Sequence, residues 1–163
     1  MHPAKYILVP LASISLMGVN QSQNPSDPPR NKAEDFVHFG AKLFKATHSK
    51  PMSEKVEEEL ILHGEPAEIC TAVHSGFTAR FLRYKTDRRV FLNTLVISSS
   101  SIKLPNGINL GDSPQKVIAQ LGQPTRAAAN ELEYVFGDPM EDSAVFQFRN
   151  SKLTLVKWSY ELD

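Results

Sequence analysis

The sequence predicts an α+β fold: short helices packed on an antiparallel sheet, with a C-terminal helix followed by a three-stranded meander. Three observations predict it. Residues 113–124 carry a full set of helix start and stop signals. Most of the flanking segments alternate apolar and polar residues with the period of a strand. Turn residues recur at short intervals between those segments, as hairpins require and parallel crossovers do not.

Taken in chain order, residues 1–19 read as a targeting segment: one lysine near the start, then the apolar run Tyr6 to Val19. That run is too short to span a bilayer comfortably. No cysteine follows it to carry a lipid, so the expectation is a soluble periplasmic or secreted protein. The membrane enters only if this segment is a retained anchor. Residues 20–32, rich in Pro, Asn and Ser, read as a flexible linker. A single domain over 33–163 follows, with a helix and strands in 33–103 and a helix and three strands in 104–163.

Phe36, Phe39, Leu43 and Phe44 recur at helical spacing, with Asn31 or Asp35 as candidate caps. Gly40 weakens that helix on propensity alone. From Val56 the period shifts toward two. Leu60–Leu62 closes at His63-Gly64, Ile69–Val73 closes at His74-Ser75-Gly76, and Phe77–Tyr84 ends at Lys85-Thr86-Asp87-Arg88. The segment 89–98 returns as the strongest strand. Ser113 then caps a short helix, Pro114 sits where its missing N–H costs nothing, and Gly122 and Pro124 stop it. Val117, Ile118 and Leu121 form its apolar stripe, which must rest on a sheet because so short a helix is not stable alone. Residues 126–130 read as a small-residue connection. Strands follow at 132–136, 144–148 and 153–160, the last two joined at Asn150-Ser151.

Composition excludes several functions. Eighteen Lys and Arg balance eighteen Asp and Glu, so no basic field marks a nucleic-acid partner. Cys70 is alone and cannot form an intramolecular disulfide. No nucleophile elbow, zinc-protease motif, phosphate loop or dinucleotide fingerprint is present, and the histidines show no i,i+4 pair. No catalytic residue, metal site or cofactor is therefore expected.

The run Gly107 to Ser113, then Val117, Leu121-Gly122 and Pro124, then strands bearing Tyr134, Phe146/Phe148 and Leu153 to Trp158, resembles small exported α+β modules. These are the outer-membrane assembly lipoproteins of the SmpA/OmlA type and the β-lactamase-inhibitor-like proteins. The resemblance covers residues 104–160 and implies action by binding other proteins, without catalytic residues. The chain departs from the lipoproteins in its strand-rich first half and in lacking a lipid-bearing cysteine.

The function expected is a non-catalytic protein-binding module, an inhibitor or immunity protein, whose partner is a toxin, an enzyme or an envelope component. Aromatic and arginine side chains anchor such interfaces, which makes Arg80, Arg83, Tyr84, Tyr134 and Trp158 the candidates. An envelope-assembly accessory is one alternative. A small-ligand carrier or enzyme using a pocket near Cys70, His63, His74 and Tyr84 is the other.

Overall fold

The computed structural model describes residues 31–137 and 141–162. The targeting segment expected at 1–19 and all but the last two residues of the expected linker lie outside them. The chain runs α1 (Lys32–Thr47), β1 (Ser53–Leu62), β2 (Glu65–His74), β3 (Phe77–Tyr84), β4 (Val90–Ile97), a 3-10 turn (Pro105–Gly107), α2 (Pro114–Leu121), β5 (Arg126–Ala128), β6 (Glu131–Phe136), β7 (Asp142–Arg149) and β8 (Lys152–Ser159). All eight strands belong to one antiparallel sheet in the order β1-β2-β3-β4-β8-β7-β6-β5. Each half is one helix followed by a four-stranded meander. The last strands of the two meanders, β4 and β8, pair from Thr94↔Ser159 to Ile97↔Val156 and fuse the halves.

This corrects the expected α+β fold with its three-stranded meander. The described residues are mostly β, and their two helices dress one continuous sheet. Two features were hidden. Arg126–Ala128, expected as a connection, pairs with Glu131–Glu133 as β5, yet all three of its residues are exposed and show no apolar pattern. The pairing of β4 with β8 joins segments far apart in sequence, which no local periodicity encodes.

Both helices lie on the same face of the sheet. Asn31 caps α1, its side chain accepting from the Ala33 amide at 3.2 Å. Phe36, Val37 and Phe44 of α1 are buried with Phe146, Val156 and Trp158 of the sheet. The closest approach is at Gly40. There the Trp158 indole N–H donates to the Phe36 carbonyl at 2.9 Å, and the Tyr160 hydroxyl donates to the Val37 carbonyl at 2.8 Å. The same hydroxyl accepts from the Ala41 amide at 2.8 Å, so it bridges two groups one helical turn apart. Only a residue without a Cβ lets the two aromatics come this close.

The Ser113 hydroxyl accepts from the Lys116 amide at 3.3 Å, and Gly122 ends α2 with a positive φ of 89°. Val117 and Leu121 are buried in the main core, and Ile118 packs partly against it. The Tyr134 hydroxyl donates to the Gly122 carbonyl at 2.9 Å, which pins the end of α2 to β6. The loop before α2 is tied to β8, with the Gly111 amide on Leu153 and the Leu153 amide on Asp112, at 2.7 and 2.8 Å.

Candidate protein-binding face

Side chains alternate between the faces of a sheet, so covering one face with helices fixes what the other presents. Among the described residues, no helix lies on the second face. One register row crosses all eight strands there: Ser53, Val73, Thr78, Val96, Lys157, Val145, Glu133 and Arg126. The row on the adjacent pairs is Lys55, Thr71, Arg80, Thr94, Ser159, Ser143 and Val135. These residues are small, β-branched or charged. Together they make a broad surface without bulky obstruction.

The surface is not uniform. Toward the far end of β1–β3 a second apolar cluster forms on this open face, with Ala67, Leu82 and Tyr84 buried and Leu60, Leu62 and Ile69 packed around them. Beside it lies a cleft of about 340 Å³, walled by Leu60, Leu62, Ile69 and Leu82 and reached by Arg80, Asn93, His63 and Leu162. An apolar cleft with a few polar groups at its rim is the kind of feature that receives a partner's anchoring side chain. The cause is an inversion of polarity along β2 and β3. At the same end, the helix-side face carries charge instead, with Arg83 bonded to Glu54 and Glu68 at 2.6 and 2.7 Å and Lys85 to Glu59 and Glu68 at 2.9 and 3.3 Å.

The five residues expected as binding anchors are placed as follows. Arg80 lies on the open face, beside the cleft, held by the Glu57 carboxylate at 2.9 Å and by Asn93 at 3.3 Å. The Tyr84 ring is buried in the cluster on the same face, under the Arg89 guanidinium at 4.4 Å and edge-on to Phe91. Arg83 points to the opposite face, where its bonds to Glu68 and Glu54 hold it more firmly protonated than an ordinary arginine. Tyr134 and Trp158 belong to the main core. Burial pushes the Tyr134 hydroxyl up to about 12. Trp158 stacks on Phe36 with ring centroids 5.4 Å apart and has no exposed surface. The structure therefore places Arg80 and Tyr84 on one face of β3, with Leu82 between them, and sets the other three apart from that face.

The residues weighed for a pocket near Cys70 do not converge. Burial raises the Cys70 thiol above its ordinary value, and the charged Glu68 carboxylate, 3.9 Å from its sulfur, further disfavours the thiolate. His63 and His74 stand at opposite ends of β2, ten residues long, or about 33 Å at about 3.3 Å per residue. His74 is buried against Phe77, stacked at 4.4 Å, and its Nε2 has no hydrogen-bond partner. Burial lowers its basicity, and the neighbouring His48 adds to the effect. Among the described residues, no group of three or more His, Cys, Asp and Glu side chains is placed to hold a metal ion.

A wider cleft of about 520 Å³ lies on the helix side, between the end of α1, the start of β4 and the C-terminal segment. Its floor is Phe44, Val90 and Leu92, and both charge signs stand at its rim, with Lys45 and Arg88 facing Asp142 and Glu161. Burial raises the Asp142 carboxyl above its usual range. This charge balance selects no ligand class.

The outer edge of the sheet is guarded. The exposed β1 carries Glu54, Glu57, Glu58 and Glu59 and a bulge between Val56 and Glu58. Both devices discourage edge-to-edge pairing. The arginine-rich run 80–89 is largely neutralised by these and neighbouring carboxylates: Arg80 by Glu57, Arg83 by Glu54 and Glu68, Arg89 by Glu65 and Asp87.

No family model matches this chain, and the searches of curated proteins and of solved structures return no similar protein.

Proposed function

We propose that the protein is a non-catalytic binding module that neutralises another protein by laying the open face of its sheet against it. The observation that supports this most is the asymmetry of the sheet. One face is covered over most of its strands by α1 and α2, while the other presents small, β-branched and charged side chains from eight strands and an apolar cleft beside Arg80. A surface held by strand pairing loses little conformational freedom on association, which favours an inhibitor or immunity protein over an adaptable scaffold. Export to the periplasm or medium belongs to the same proposal and rests on the apolar run 6–19.

The test is site-specific photocrosslinking in the native cells. A photoreactive side chain at Thr78 or Val96 reports on the open face, and one at Gln115 or Ala119 on the exposed side of α2. The proposal expects one discrete adduct from the first pair and none from the second. Equal labelling from both pairs, or no adduct from the sheet positions, refutes it.

A further inference from the structure

We infer that the partner meets this face with an acidic segment, seated on the β7–β8 hairpin; the inference rests on the open-face reading. Phe148 and Leu153 are a buried register pair, so the next pair, Arg149 and Lys152, points to the open face. Ala144–Trp158 and Phe146–Val156 are likewise buried, so Val145–Lys157 between them points the same way. The hairpin thus places three cations on one surface.

Among the described residues these three, like Lys55 on β1 at the far side of the same face, have no ion-pair partner, and these three lie together on one hairpin. Arg80 is held by Glu57, Arg89 by Glu65, and Arg126 by Glu133 at 3.1 Å. Among the described residues, Arg149, Lys152 and Lys157 form no ion pair, and all three are exposed. Of the nearest carboxylates in register, Glu133 is paired with Arg126, while Glu131 accepts from the Gln147 amide at 3.3 Å and keeps its charge, so three cations stand against one unpaired carboxylate. Lys152 and Lys157 are five residues apart on one strand, about 16 Å at about 3.3 Å per residue. Between them on this face lie Leu155 and its register partner Gln147, with Val145 opposite Lys157. A stripe with a net cationic excess selects acidic partners and speeds their encounter. The zero net charge of the chain sets it apart from the basic field that phosphate backbones require.

The probe is a fluorescent peptide of alternating Glu and Val, about eight residues long so that it covers the stripe when extended. Its anisotropy is followed on titration with the whole protein in about 0.05 M salt, where screening is weak. Saturable binding is expected. Lys152→Glu with Lys157→Glu should weaken it about tenfold, while Lys42→Glu with Lys45→Glu on α1, an equal change in net charge, should alter it less than about twofold. Equal weakening by both pairs, no saturable binding, or tighter binding of a single-stranded oligonucleotide of matched length overturns the inference. Loss of peptide binding together with persistent crosslinks from Thr78 and Val96 removes the acidic partner alone, whereas loss of the crosslinks removes the open-face reading beneath it.

Discussion

Replacing Gly40 by alanine sets two physical effects against each other, and their signs differ. On propensity alone, Gly→Ala inside a helix stabilises by about 1 kcal/mol. The packing predicts the opposite. An added Cβ would lie 2.5 Å from the Tyr160 hydroxyl oxygen and 2.8 Å from Trp158 Cγ. Both distances fall about 1 Å short of ordinary contact. Relief requires moving β8 and its continuation away from α1, because neither ring can retreat within the core. Overpacking of this kind costs about 1–3 kcal/mol. The Trp158–Phe36 and Tyr160–Val37 hydrogen bonds are strained with it, and a buried polar group left unpaired costs about 1–3 kcal/mol. Against the propensity gain, the net expectation is a loss of about 1–5 kcal/mol. For a domain of this size that is a fall in Tm of roughly 3–20 °C. Urea unfolding followed by fluorescence is the natural assay, since Trp158 is the single tryptophan and sits at the contact. A variant as stable as the parent, or more so, refutes the reasoning.

Three further outcomes follow from the same contacts. Tyr160→Phe removes the hydroxyl between Val37 and Ala41; the two helical groups can then bond each other, so the loss should be only about 1 kcal/mol, and in the Gly40→Ala background smaller still. Ser113→Ala should cost about 1 kcal/mol through the lost cap of α2 without changing the open face, and a stability loss above about 2 kcal/mol in chemical denaturation would contradict the capping role. His74 is held neutral in the fold, whereas the unfolded chain takes up a proton near pH 6.5, so its share of stability is complete above that pH and falls as acid is added until the folded group also titrates. His74→Phe should flatten the fall in denaturation midpoint between about pH 6.5 and 5; an unchanged slope would show that His74 is not its source.

Much of the local structure was legible because local chemistry specifies it. Ser113, Pro114 and Gly122 fix α2 through caps that act within a few residues, and the structure places the apolar stripe of Val117, Ile118 and Leu121 on the core. The turn at Asn150-Ser151 takes φ values of 51° and 57°, which those residue types tolerate. The polar first half of β1 shows no pattern because nothing covers either of its faces. Gly40 reads in sequence as a weak point of a helix, while its role is a close approach set by residues about 120 positions away, beyond the reach of propensity.

The candidate anchors show where alternation must be read with its neighbours. Trp158 shares a strand face with Val156 and Tyr160, and Lys157 and Ser159 take the other. Tyr134 likewise alternates with Leu132 between Glu131 and Glu133. That pattern assigns both aromatics to the covered side, and it would have pointed to Lys157 as the residue on view. Which face is covered depends on where the helices pack, and only the assembled sheet shows that.

The central claim is that the uncovered face of the sheet is the working surface. Its most direct measurement is affinity for the crosslinked partner after Val96→Arg with Val145→Arg, two changes on one register row of that face, beside Gln115→Arg with Ala119→Arg on α2. The account predicts that the sheet pair retains the parent circular dichroism and loses at least about tenfold in affinity, while the helix pair binds as the parent does. Undiminished binding by a folded sheet variant would contradict it.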